Sequence, residues 1–302
     1  MPYGPTAAKI DRPVFVIGCG RSGTTLLFKL LSRHPDLAWF SNYSDWYPDR
    51  PWLAALGRLW DLPYLGPKIA GRIPGLLFSH ESINLYLHCG IHSLIWEKGA
   101  SLTEADLTPQ AAECFRTLVA KHLAYRGKTR FANKDTNNCM RIRYLKAIFP
   151  DALFIHILRD GRAVSSSLKH VDWWPDLPLW WAGFTPREWA ESGKAPIELC
   201  ALHWRREVDE IRAAIPYLES GSYIEVRYED LTADPFGHMR RLIEFCDLPW
   251  SPRYEAALRK FRIDNRDYKW ATQLSEREQE ILAAALADRL ELLGYPLQVA
   301  SA

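Results

Sequence analysis

An excess of charge of one sign is what this sequence lacks first. Its 38 lysines and arginines balance 36 acidic residues over 302 positions, a formal net charge of +2. That balance excludes a general nucleic-acid or membrane-surface binder, so any anion site must come from local placement of Arg and Lys. Cysteine is sparse and scattered: the six, at 19, 89, 114, 139, 200 and 246, form no CxxC pair. They are expected to be reduced core residues rather than a disulfide framework or a zinc site. The opening MPYGPTAAKIDRP has no signal-peptide core, and no apolar run reaches bilayer-spanning length. A cytoplasmic protein without a membrane span is therefore expected. There is no internal repeat, no low-complexity tract and no linker-like segment. One domain over residues 1–302 follows, carrying insertions at about 37–100 and 172–195.

What is present is an alternation of strand and helix patterns, in a composition (48% hydrophobic, 25% charged) that suits an ordinary globular core. The apolar run ALFIHIL suits a strand covered on both faces. TRFANK and SYIEVRY are shorter strand candidates. Helical spacing of Ala112, Phe115, Leu118, Val119 and Leu123 predicts a helix over roughly 104–126. Further helices are expected over MRIRYLKAIFP, closed by Pro150, over RDGRAVSSSLKH, at about 197–215, and from a cap at Ser275. The fold class is α/β: a P-loop-containing three-layer fold, with a mainly parallel central sheet flanked by helices.

The stretch FVIGCGRSGTTLLFKLLSRHPD runs from a buried strand through a glycine-rich turn into an amphipathic helix. Such a turn aims backbone N–H groups and the positive helix end at one anion. Gly18, Gly20 and Gly23 permit the tight turn and a close ligand approach. Ser22, Thr24 and Thr25 add hydroxyls, and Arg21 adds a planar fork suited to an oxyanion. A nucleoside triphosphatase would have lysine where Thr24 stands, and an acidic residue for magnesium after another strand. Here ALFIHIL ends in Arg159. The anion is expected to be something other than a nucleoside triphosphate.

RSGTTLL followed by HPD resembles the 5′-phosphosulfate loop of the sulfotransferases that use 3′-phosphoadenosine 5′-phosphosulfate (PAPS). The protein-tyrosine and bacterial branches carry Arg in that loop. The family's second signature is a strand-end Arg with Ser eight positions later, and IHILRDGRAVSSS places Arg159 and Ser167 at that spacing. The resemblance implies that this pair grips the 3′-phosphate. A strand-end Arg and a hydroxyl two helical turns on can reach one phosphate. NKDT is similar to the segment that would put Lys134 near the transferring sulfuryl group. IEVRYEDLTADP resembles the segment whose aromatic, Tyr228 here, would lie against adenine, and DYKW suggests Lys269 as a late basic residue closing over the nucleotide.

The implied reaction is in-line attack on sulfur by an acceptor hydroxyl, releasing 3′,5′-ADP and requiring no metal. Arg21, Lys134 and the loop N–H groups would stabilise the charge that grows on the bridging oxygen, with Thr24 and Thr25 on the 5′-phosphate. A general base is also required. Where the protein-tyrosine branch has Glu, this chain has Asn42, which cannot accept a proton. Asp45 is the first candidate, then Glu81, with His80 beside it. The two insertions hold ten of the thirteen tryptophans. Concentrated indole suits an apolar or sugar-binding cleft, and equally suits packing. The expected partner is a small-molecule hydroxyl acceptor, lipophilic or carbohydrate-bearing, and this reading leaves room for a homodimer. Two alternatives stay open: a P-loop kinase using Asp160 as metal ligand, and a non-catalytic nucleotide-binding module.

Overall fold

The structure, a computed structural model, describes residues 8–61, 81–263 and 269–297. Five strands form one sheet: β1 (Val14–Ile17), β2 (Leu37–Ala38), β3 (Arg130–Lys134), β4 (Leu153–Leu158) and β5 (Tyr223–Arg227). Their order is β2-β3-β1-β4-β5, and every pairing is parallel. Side chains of β1 and β4 are buried at every position, as the uninterrupted apolar runs require when helices cover both faces. The helices used below are α1 (Thr24–Leu31), α2 (Asn42–Trp46), α3 (Ile83–His88), α4 (Pro109–Arg126), α5 (Ile142–Ile148), α6 (Gly161–Lys169), α7 (Pro196–Ala214), α8 (Lys269–Gln273) and α9 (Glu276–Leu292).

Alternation along the strands divides the core into two layers. Phe15, Ile17, Phe131 and Phe154 pack with apolar residues of α4 and α5. Val14, Val16, Ile155 and Ile157 pack with Leu27, Phe28 and Leu31 of α1 and with Met239 and Leu242. A third cluster joins α6, α7 and α9 through Val164, Trp204, Val208 and Leu286. From β1 the chain goes to the edge strand β2, returns to β3 beside β1, and then crosses to β4 and β5 on the other side. Ligands of open parallel sheets bind at the carboxyl ends of the strands where that direction reverses. The register Val16↔Lys134 and Ile17↔His156 puts the ends of β1 and β3 within one residue of each other there, with β4 running two residues farther.

Two expectations change. The helix predicted from residue 104 starts at Pro109, with Thr108 accepting from the Ala111 N–H, and Glu104–Asp106 form a separate 3-10 turn. Proline lacks the donor that an inner helix turn uses, so it suits the first position. More consequentially, the cysteines are not all reduced: Cys89 and Cys114 form a disulfide, with Cα atoms 5.7 Å apart. The residue after α3 and the first turns of α4 meet only in the tertiary fold, and spacing along the chain does not show that meeting. Cys19, Cys139, Cys200 and Cys246 are free and buried. No helix among the described residues is long and apolar enough to cross a membrane.

Candidate active site

The glycine-rich turn follows β1 at the centre of the sheet. Gly18, at φ +149°, and Gly23, at φ +94°, use conformations that L side chains rarely adopt. A Cβ on Gly18 would lie 2.6 Å from the Ile157 carbonyl oxygen, and one on Gly23 2.4 Å from the Tyr228 ring. Gly20 differs: a Cβ there would meet nothing within 4 Å, so the open space for a ligand lies above it. Arg21 sits at the tip with φ +70°, a costly left-handed conformation for a non-glycine residue. The Ser22 N–H donates to the Cys19 carbonyl at 3.0 Å, and the Gly18 N–H donates to the Cys139 sulfur at 3.2 Å. Gly23 caps α1 without a side-chain hydrogen bond, which leaves the first N–H groups of that helix to an anion. Thr24 is buried and Thr25 exposed.

The second signature converges on this loop. Arg159, at the end of β4, donates to the Arg21 carbonyl at 3.0 Å, and Arg21 Nε donates to Ser167 Oγ on α6 at 3.0 Å. The Arg159 guanidinium stacks 4.3 Å from the centroid of the Tyr228 ring. Tyr228 therefore packs on both Gly23 and Arg159, in the wall behind the loop. Asp160, the metal ligand that a kinase would need, caps α6 instead. It accepts from the Arg162 N–H at 2.8 Å and pairs with that residue's guanidinium at 2.6 Å. Lys269 is exposed at the start of α8, whose Trp270 lies under Arg162.

On the other side of β1, Lys134 ends β3 and forms an ion pair with Glu81. The lysine is buried and the carboxylate half-exposed. Below them, Asp135 and Arg141 form a fully buried ion pair at 2.9 Å. Tyr86 donates to Asn133 and Asn138, both at 3.0 Å, and burial pushes its phenol pKa up. Asp45, the first candidate for the base, is fully buried. It accepts from Asn84 Nδ2 at 2.8 Å and from the Leu85 N–H at 3.1 Å, and so serves the first turn of α3. Asn42 opens α2. His80 lies outside the described residues.

A family profile described as "Sulfotransferase family" matches residues 13–252. The chain belongs to the sulfotransferase family. Among its relatives, the omega-hydroxy-beta-dihydromenaquinone-9 sulfotransferase Stf3 of Mycobacterium bovis is 25% identical over 306 aligned positions, covering 94% of this chain and 76% of the relative. The protein-tyrosine sulfotransferase of Drosophila melanogaster is 23% identical over 79% of this chain and 38% of its own length. In fold, the chain resembles sulfotransferase STF9 from Mycobacterium avium, with a TM-score of 0.61 and 19% identity over 97% of this chain and 79% of that one.

A member of the sulfotransferase family thus carries both motifs read from its sequence at one place, and several supporting residues that motif reading missed. The buried Asp135–Arg141 pair fixes the turn after Lys134, and its spacing matches no familiar pattern. Cys139, taken as a plain core residue, receives a loop N–H. Sequence reading also does not bring together buried Cys19, His203 and Glu207, which place one ligand atom each within 4.8 Å of one another. Cys19 is distant in sequence from the other two, and only the packing of α7 under the loop brings it to them.

Proposed function

We propose that this sulfotransferase moves the sulfuryl group of PAPS to a hydroxyl of a small, lipophilic or carbohydrate-bearing acceptor, releasing 3′,5′-ADP. The observation that carries the donor assignment is the meeting of Arg21, Arg159 and Ser167, from two separate motifs, at the open end of the sheet. Loop N–H groups and the Arg21 fork would hold the 5′-phosphosulfate, with Thr24 and Thr25 on the 5′-phosphate. Arg159 and Ser167 would hold the 3′-phosphate, and Lys269 would approach the nucleotide from α8. Tyr228 would support the cofactor from behind the loop.

Glu81 replaces Asp45 as the preferred base. Both Asp45 oxygens already accept hydrogen bonds in the core, whereas the Glu81 carboxylate is half-exposed and touches Lys134. Glu81 would take the acceptor proton while Lys134 stabilises the negative charge on the departing oxygen. The lipophilic option gains weight from the menaquinone named in the Mycobacterium bovis relative. Calorimetry with 3′,5′-ADP against 5′-ADP tests the donor: a clear preference for the former is expected, and equal affinity overturns the reading.

A further inference from the structure

Cys19 is buried inside the loop, and the residues that meet it belong to α7. His203 and Glu207 are one helical turn apart and face the same way, with Nε2 3.3 Å from Oε1. On its other nitrogen the same imidazole accepts from the Trp181 indole: Nε1–H to Nδ1, 3.3 Å. Indole N–H only donates. The Nδ1 lone pair therefore faces Trp181, and the neutral ring carries its proton on Nε2, toward Glu207. Among the described residues, Glu207 Oε2 is buried without a hydrogen-bond partner. Burial, and then the adjacent Glu207 charge, push the Cys19 pKa well up, so its sulfur keeps a proton that can turn toward that carboxylate.

A sulfur, an imidazole and a carboxylate also suit zinc in kind. A metal on His203 Nε2 would need that nitrogen's lone pair. Moving the proton to Nδ1 would then set one N–H against the N–H of Trp181. The chain of proton donors satisfies Trp181, His203 and Glu207 together, whereas a metal leaves the indole without its acceptor.

We propose that His203 and Glu207 are positioning residues for sulfuryl transfer. They tie the phosphosulfate loop at Cys19 to the Trp-rich segment at Trp181, and so hold the loop N–H groups where the transition state needs them. This rests on the reading that the loop holds the 5′ end of PAPS. Cys19 sits between Gly18, whose φ glycine adopts freely, and the open Gly20, and its carbonyl receives the Ser22 N–H, so a shift at Cys19 moves the donors that follow.

Steady-state kinetics, calorimetry with 3′,5′-ADP and thermal unfolding of Cys19→Ala and Cys19→Ser test the tie. Alanine removes the donor, and serine restores one. Cys19→Ala should lower kcat about tenfold, since small misplacements of a reacting constellation carry costs up to about a hundredfold. Its 3′,5′-ADP affinity should stay within about twofold, and serine should recover most of the lost kcat. Adding Glu207→Gln to Cys19→Ala should cost less than the product of the two single effects, as for residues acting through one contact. If Cys19→Ala does not fold, His203→Gln, which keeps a donor toward Glu207, against His203→Ala gives the same contrast. Wild-type protein without preference for 3′,5′-ADP over 5′-ADP overturns the donor reading and this inference with it. Wild type with that preference, but alanine and serine variants equal in kcat, overturns the positioning role alone. One equivalent of zinc in purified wild type, lost in Cys19→Ala, replaces the proton chain with a metal site and also overturns it.

Discussion

The two ends of the proposed active site are built by different means. On the donor side, two short stretches, 18–25 and 159–167, supply the loop, the arginines and the serine, and each starts at a strand end. Their contacts close on the loop itself: Arg159 holds a loop carbonyl, and Arg21 reaches the Ser167 hydroxyl. On the proposed acceptor side the working groups would come from separated elements. Lys134 comes from β3, Glu81 precedes α3, and Asp45 from α2 holds α3 in place. A fixed anion is met by preorganised dipoles, which a local turn can provide. A proton and a variable acceptor require side chains brought in from a distance.

The sharpest test of that division is Glu81→Gln. If the acceptor side moves the proton, kcat should fall by about 10²- to 10⁴-fold, the usual worth of a general base. Affinity for 3′,5′-ADP should hold, and the acidic limb of the pH–rate profile should vanish. Retained activity with an unchanged profile would remove Glu81 from the reaction. On the donor side, Arg21→Ala should lower kcat by about 10²- to 10³-fold, as for the loss of one preorganised donor, with a smaller loss of PAPS binding. Arg159→Ala should act on affinity instead, weakening 3′,5′-ADP about ten- to a hundredfold, the worth of one charged hydrogen bond. The 3′-phosphate does not change charge in the reaction, so its holder contributes ground-state and transition-state binding alike. Matching kinetic defects in the two variants would erase the division of roles.

The same contrast explains what could be read from the sequence. Strand–turn–helix order, the parallel sheet and both donor signatures are local, and sequence carries local patterns directly. The Lys134–Glu81 pair, the Asp135–Arg141 pair and the Cys89–Cys114 bridge depend on which elements become neighbours. No spacing rule reaches across that distance. Nor could the Trp-rich segments be divided by sequence: Trp174 and Trp180 are buried, whereas Trp46, Trp52 and Trp173 are each about half exposed. The disulfide closes a loop of sequence separation 25 in the acceptor half. Opening a loop of that length should cost ~3 kcal/mol by chain entropy. A Cys89→Ser/Cys114→Ser protein should therefore unfold at a lower denaturant midpoint than the oxidised wild type. Equal midpoints in wild type with and without reductant would show that the bridge adds nothing in solution, and would revive the reduced-cysteine expectation.

The smallest expected effect decides what Asp45 does. Sequence order ranks it first as the missing base, because it lies three positions past Asn42. The structure instead uses its two oxygens on Asn84 and on the Leu85 N–H, where α3 begins. Asp45→Asn keeps the shape but turns one acceptor oxygen into an NH₂ group facing those donors. Losing a carboxylate cap typically costs about 1 kcal/mol, in a range of ~0.5–2. A modest fall in the unfolding midpoint should follow. The activity that remains should scale with the folded fraction, and the pH profile should stay as in wild type. Glu81 stands just ahead of the same helix, so a loosened α3 could also misplace the base. That outcome would appear as a few-fold loss of kcat recovered at lower temperature, where α3 is better populated. A loss of a hundredfold or more by Asp45→Asn at unchanged stability, on the scale of a missing general base, would return the proton to Asp45 and make Glu81 only the partner that holds Lys134.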